Sequence, residues 1–127
     1  MVKQIKIVWL PQPEAKNYPA SESYLYLLFN DTTVKTIVSN LKSAPLSQFK
    51  AKDIFRASGL SLLGVSNSHV EKDRKKIESG KSLSPLLLVR DERNGKVVIA
   101  DGYHRMCAVY SFNEDELILC KIVGILG

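Results

Sequence analysis

An unbroken apolar run over residues 85–90, PLLLVR, constrains the fold of this chain more than any other segment. A run of this length without polar alternation is typical of a strand that is buried on both faces. Asn94 and Gly95 follow and form the strongest short-range signal for a hairpin, so residues 96–100, KVVIA, are predicted to be the partner strand. The sequence therefore predicts a hairpin that contains a buried strand.

Other segments add strands and helices in mixed order. Strands are predicted over 3–10, which is rich in β-branched and aromatic residues, and over 47–51 and 117–123. Apolar spacing, caps and glycines predict the helices. These are 24–30 capped by Ser21, a helix that is capped by Asp31 or Thr32 and ends at Pro45, a turn from Asp53 to Gly59, 69–79 capped by Asn67 or Ser68 and followed by Gly80, and 103–112.

These elements indicate an α+β fold with a small mixed sheet, an extra N-terminal strand and helices. The chain has 127 residues, 45% of them apolar and 24% charged, which is the balance of one soluble globular domain. No apolar run approaches the roughly 20 residues that span a bilayer, so no membrane partner is expected. Cys107 and Cys120 are too few for a disulfide framework, which favours a reducing, cytoplasmic setting.

The junction 100–105, ADGYHR, is the most informative place for function. A buried strand ends there, Gly102 makes a tight turn and a helix begins, so unpaired backbone N–H groups point outward. Arg105 in the first turn opposes the helix dipole, whereas an anion held at that helix end would make it favourable. Its guanidinium can grip a phosphate with two hydrogen bonds, and His104 can donate or act as an acid or base.

A purely structural interpretation of the junction is also open. In that interpretation Asp101 caps the helix, Gly102 is required sterically, His104 packs, and Arg105 pairs with a surface carboxylate. The formal charge of +5 is compatible with phosphate-bearing partners but falls short of the dense basic stripe of a dedicated DNA binder.

The helix over 69–79 is a second candidate surface. His69, Lys72 and Lys76 lie at i, i+3 and i+7, which is one face of a helix, and such a row can line a polyphosphate. The alternative is a solvated charged helix in which Glu71 pairs with Lys75 at i, i+4.

The order of elements from this helix onward resembles the ParB/sulfiredoxin superfamily domain. The resemblance covers about residues 47–123 and includes the helix, the proline-led strand, the hairpin, the turn into a helix and the last strand. It implies one domain over 1–127, with 47–123 as the superfamily core and 1–46 as an N-terminal extension packed on it.

In sulfiredoxins the turn is Gly-Cys-His-Arg, and its His and Arg hold ATP phosphates together with the helix N-terminus. By that resemblance His104 and Arg105 are phosphate ligands, and His69 corresponds to an ATP-binding lysine. Tyr103 occupies the position of the redox cysteine. Because tyrosine cannot form the thiol intermediate, sulfiredoxin-type reduction is not expected here.

The turn is closer to that of free serine kinases, which is similar to Asp-Gly-His-His-Arg. That resemblance implies a catalytic site formed by Asp101, His104 and Arg105. The resemblance also implies a nucleotide site for ATP or ADP, or for CTP as in ParB, with Mg²⁺ as a possible further ligand. The residues of this site are His69, Lys72, Lys76, Gly102, Tyr103, His104 and Arg105.

Three functions follow from these residues. The first is a nucleotide-dependent phosphotransferase or hydrolase that acts on a small-molecule or protein acceptor. The second is a DNA-associated ParB-like module whose basic helix contacts nucleic acid. The third is a binding or regulatory domain that has kept the fold and lost the chemistry.

Overall fold

Four strands form one mixed sheet in the computed structural model of the protein, which describes residues 5–64 and 66–125. The strands in chain order are β1 (Ser47–Lys50), β2 (Leu86–Asp91), β3 (Lys96–Asp101) and β4 (Leu117–Gly124). The helices are α1 (Asn17–Leu25), α2 (Asp31–Ser43), α3 (Ala51–Ser58), α4 (Ser68–Glu78) and α5 (Tyr103–Phe112). This confirms the predicted α+β class with a small mixed sheet.

The order of strands across the sheet is β1-β4-β2-β3. β4 runs antiparallel to β1 and parallel to β2, and β2 runs antiparallel to β3. The predicted hairpin is therefore confirmed, with a loop of residues 92–95 between the paired Asp91 and Lys96. Asp91 stabilises this loop by accepting a hydrogen bond of 2.8 Å from the side-chain amide of Asn94.

Strand β2 is covered on both faces, as its apolar run predicts. Leu86 and Leu88 pack on one side with residues of α3, α4 and α5. Leu87 and Val89 pack on the other side with residues of α1 and α2. The sheet is therefore the middle layer between two groups of helices, and each face has its own apolar core.

One buried charge ties α2 to the sheet. Lys121 of β4 is only 3% exposed, and its ammonium group donates a 2.9 Å hydrogen bond to the carbonyl of Lys42. Lys42 lies in the last turn of α2, where carbonyl groups lack partners within the helix and favour a cation. This contact holds the end of α2 against the sheet.

The predicted N-terminal strand is wrong over residues 5–10, and residues 3 and 4 lie outside the described part. The segment makes a single parallel bridge between Trp9 and Leu83, with two backbone hydrogen bonds of 2.8 Å around it. Pro85 follows two residues after Leu83 and has no backbone N–H to donate, which limits how far the pairing can extend.

The first helices begin earlier than predicted. α1 begins at Asn17, so Ser21 lies buried inside the helix and does not cap it, and residues 26–30 lie beyond its end. Pro19 fits within the first turn because the N–H that it lacks has no partner within a helix there. The N-cap of α2 is Asn30, whose side chain accepts from Thr33 N at 2.9 Å, and is neither of the two predicted residues.

The remaining boundaries shift by one or two residues. α3 begins at Ala51, directly after β1, and not at Asp53, while Gly59 ends it in the left-handed conformation as predicted. α4 has Asn67 as its N-cap, one of the two predicted residues. No helix within residues 5–64 and 66–125 is long and apolar enough to cross a membrane.

Candidate functional site

A small cavity of about 190 Å³ lies where α4 meets the turn between β3 and α5. α4 and α5 pack side by side on the same face of the sheet, which brings their charged side chains together. The lining residues are His69, Lys72, Asp73, Lys76, Asp101, Gly102, Tyr103, His104 and Arg105. The structure therefore brings together all the site residues selected from the sequence, although the roles predicted for them stay predictions.

A larger open cavity of about 580 Å³ lies elsewhere, between the segment that joins α1 to α2 and the loop of the β2–β3 hairpin. It contains none of the residues selected from the sequence. The smaller cavity is the stronger candidate site because basic and acidic side chains from two helices and a strand end converge on it.

Gly102 determines the shape of the turn at the bottom of the site. Its φ of +109° lies in the region that L side chains rarely adopt. A Cβ at this position would lie 2.5 Å from Cγ of the buried Leu86, which is far too close. Only glycine lets the turn approach β2 so closely.

Gly102, and not Asp101 as predicted, occupies the N-cap position of α5. Asp101 is the last residue of β3, and its carboxylate is held by Arg105, so it does not cap the helix. Among the described residues no side chain caps α5. The first N–H groups of the helix therefore remain available to an outside acceptor.

Arg105 forms the closest ion pair of the site. Its Nη2 lies 2.8 Å from Oδ2 of Asp101, and the two side chains are only 17% and 19% exposed. This pair, rather than one with a surface carboxylate, explains how a cation is tolerated in the first turn. It leaves Nε of Arg105 buried without a hydrogen-bond partner among residues 5–64 and 66–125, so the guanidinium is not fully satisfied.

Two imidazoles lie next to each other in the lining of the cavity. The ring centroids of His69 and His104 are 4.8 Å apart, and the planes are tilted by 38°. Burial, then the neighbouring His69, lowers the pKa of His104 below its ordinary value of 6.5, and Arg105 adds to this effect against the opposing Asp73. A neutral imidazole both donates and accepts, so His104 can take a proton at neutral pH.

Tyr103 is fixed by the loop after α3. Its hydroxyl donates to the carbonyl of Ser61, and its ring lies 5.5 Å from that of His104. The two thiols are both buried, and burial raises the pKa of Cys107 and raises that of Cys120 to about 12. Both cysteines are core residues as predicted, because their side chains are buried in the apolar core that includes α3, α4 and α5. A thiol with a raised pKa is also a poor nucleophile.

The N-terminal turn of α4 is held by a side-chain cap. Asn67 Oδ1 accepts hydrogen bonds from His69 N at 3.0 Å and from Val70 N at 3.2 Å. The alternative pairing of Glu71 with Lys75 is wrong, because Glu71 lies 4.0 Å from Arg74 instead.

Asp73 is the lining residue that the sequence interpretation missed. It lies at i+4 from His69 on the face that also carries Lys76, so helical spacing could have found it. Burial raises the pKa of this carboxyl, while the nearby Arg105 and other basic side chains oppose the rise.

Comparisons with protein-family models, with curated proteins and with solved structures gave no match to this chain. The chemistry of the site therefore follows from its own geometry. The cavity has several N–H donors and positive charges, and its volume is below the ~300–1,000 Å³ of pockets that bury a drug-sized ligand. It is large enough for phosphate groups but not for a whole nucleotide.

The described residues contain no group of three or more His, Cys, Asp or Glu side chains that could hold a metal ion. Mg²⁺ is commonly bound through one or two carboxylates together with the phosphates of a substrate. The carboxylates of this site are Asp73 and Asp101, and basic side chains lie beside both, so the residues present do not by themselves form a magnesium site.

Proposed function

We propose that the protein binds the phosphate groups of a nucleotide of the ATP or ADP type, as a member of the ParB/sulfiredoxin superfamily. One observation carries this proposal: Lys72, Lys76, His69 and Arg105 converge on the uncapped N-terminus of α5 around a single polar cavity. The sequence of α4, the β2–β3 hairpin, α5 and β4 supports the superfamily assignment, because it is the order that the resemblance implies.

The terminal phosphates would lie against the N–H groups at the start of α5, where the helix dipole favours negative charge. Arg105 would donate from the nitrogen atoms that Asp101 leaves unused, and Lys72 and Lys76 would neutralise further charge from α4. Because the cavity is small, the ribose would lie at its rim and the base outside it, over the neighbouring surface.

If the protein transfers the phosphoryl group, His104 and Asp101 have separate roles in the reaction. His104 is the candidate proton acceptor, because its lowered pKa leaves the imidazole neutral near pH 7 and it lies in the first turn of α5. Asp101 is a positioning residue, since its carboxylate holds the guanidinium of Arg105. Arg105 would stabilise the charge that develops on the phosphoryl group, and the acceptor would be a small molecule or a protein.

Titration calorimetry with ATP, ADP and CTP, each with and without Mg²⁺, tests the binding proposal. Lys76→Gln should weaken binding roughly 10- to 100-fold, because a charge-assisted hydrogen bond contributes about 1.5–3 kcal/mol. Lys75→Gln is the matched control, since Lys75 is an exposed residue of the same helix that does not line the cavity.

The proposal is wrong if the wild-type protein gives no heat with any of the three nucleotides. It is also wrong if the two lysine variants weaken binding equally, since a general charge effect would then explain the affinity. Phosphate release measured on the same samples detects hydrolysis of the bound nucleotide.

A further inference from the structure

The cavity contains the carboxylate of Asp73 among basic side chains that favour an anion. Asp73 is half-buried in α4, and no hydrogen bond or ion pair among residues 5–64 and 66–125 involves it. By contrast, the second carboxylate of the cavity, Asp101, is held by Arg105 at 2.8 Å. Asp73 is therefore the one acidic lining residue with its acceptor oxygens still unused in the described structure.

The surroundings of Asp73 argue against a metal ion as its main partner. On its own helix the charged neighbours are Lys72 and Lys76, and on α5 the charged neighbour is Arg105, with the imidazole of His104 beside it. A divalent cation beside these basic groups would be repelled, and no cluster of three metal-binding side chains supports one in the described residues. An uncharged hydrogen-bond donor, such as an O–H group, is not repelled by these basic groups.

An ionised carboxylate can only accept hydrogen bonds. A ligand oxygen that also only accepts would be repelled by Asp73, whereas a ligand O–H would be bound. We propose that Asp73 is a specificity-determining residue, which makes the site select phosphate ligands that present an O–H group next to the bound oxyanion and reject oxyanions without one. This inference rests on the proposed function, because it describes selection within the same site.

The O–H group can come from two sources. One is the phosphate itself, since hydrogen phosphate carries a P–OH group. The other is an alcohol on the ligand, such as a ribose hydroxyl. The shared chemistry is a hydroxyl donor beside a phosphate, and the experiment separates the two sources.

Hydrogen phosphate and sulfate are the decisive pair of probes. At about pH 8 both anions carry two charges, most side-chain carboxylates are ionised, and only hydrogen phosphate has a proton to donate. The protein has two histidines, His69 and His104, and both line the cavity. The NMR signals of the two imidazoles therefore report anion binding at this site directly.

Wild-type protein should bind hydrogen phosphate roughly tenfold more tightly than sulfate, which corresponds to one hydrogen bond to a charged group. Asp73→Asn should remove this preference and improve sulfate binding, because the amide can donate. Glu78→Gln is the matched control: it removes one negative charge from an exposed position of α4 outside the cavity and should leave the preference unchanged. Amide spectra of each variant verify the fold.

Titration of ATP and of 2′,3′-dideoxy-ATP identifies the source of the donor. Weaker binding of the dideoxy compound by wild type, lost in Asp73→Asn, shows that a ribose hydroxyl is the donor when the ligand is a nucleotide. Equal binding of the two compounds leaves the P–OH group of hydrogen phosphate as the source. If wild type binds ATP but does not distinguish phosphate from sulfate, or if Asp73→Asn keeps the preference, this inference is wrong and the proposed function stands. If neither anions nor ATP shift the histidine signals, both are wrong.

Discussion

At the scale of single residues, Gly102 determines how closely the turn between β3 and α5 approaches the sheet. Its backbone conformation is strained for any L residue, and its missing Cβ leaves room for Leu86. The neighbouring pair of Asp101 and Arg105 depends on this turn, because one partner lies before the glycine and the other after it. A single residue thus links the packing of β2 to the geometry of the candidate site.

Gly102→Ala should lower the free energy of unfolding by about 2–4 kcal/mol, which combines backbone strain with the clash against Leu86. Gly80→Ala is the control, because Gly80 has a φ of +76° but open space around it, and it should lose only about 1 kcal/mol. Urea unfolding measures both values. Equal losses in the two variants would show that the close contact with Leu86 is not important.

At the scale of elements, the site depends on how two helices begin. α5 begins without a side-chain cap in the described structure, which leaves its N–H groups available, whereas α4 begins with a complete one. The cap of α4 fixes its first turn, and His69 lies in that turn. The capped first turn of α4 and the uncapped first turn of α5 together form two walls of the cavity.

Asn67→Ala should lower the free energy of unfolding by about 1 kcal/mol, the usual effect of losing an N-cap. It should also weaken nucleotide binding, because the first turn of α4 frays and His69 is less well positioned. Asn30→Ala removes the equivalent cap of α2, far from the cavity, and should match the loss of stability while binding remains unchanged. Urea unfolding and calorimetry test the pair, and equal binding losses in both would contradict the role given to Asn67.

At the scale of the whole molecule, the sheet needs helices on both faces. α1 and α2 cover an apolar surface of the hairpin that consists of Leu87, Val89, Val98 and Ala100. This surface belongs to the segment 47–123, while the helices that cover it belong to the segment 1–46. The two segments therefore share one core, and neither has all of its apolar partners within itself.

A fragment of residues 47–127 should fail to unfold cooperatively and should aggregate, because it exposes the apolar surface that α1 and α2 cover. Leu41→Ala in the full chain is the control. It leaves a cavity in the same layer, so it should lose about 2–5 kcal/mol but keep a cooperative transition. Urea unfolding and sedimentation distinguish these results, and a soluble fragment with a sharp transition would contradict this view of the core.

Sequence patterns predicted the parts of the fold whose signals are local. The run over 85–90, the Asn94–Gly95 pair and the Gly102 turn each occupy a few neighbouring residues, and the structure contains the strands and the helix that they indicate. The strand over 3–10 was wrong over its described residues because pairing depends on a distant partner, Leu83. Asp73 was missed for a related reason, since its importance arises only when α4 packs against α5.

The position of β4 has a consequence for the order in which a nascent chain can fold. β4 pairs with β1 on one side and with β2 on the other, so among the described residues it is the strand that joins the two halves of the sheet. While Leu117–Gly124 is still inside the ribosome, none of the hydrogen bonds seen within residues 5–64 and 66–125 connects β1 with the β2–β3 hairpin. The sheet, and the turn that supports Arg105, can therefore reach their final arrangement only after translation has passed residue 124 and this segment has emerged from the exit tunnel.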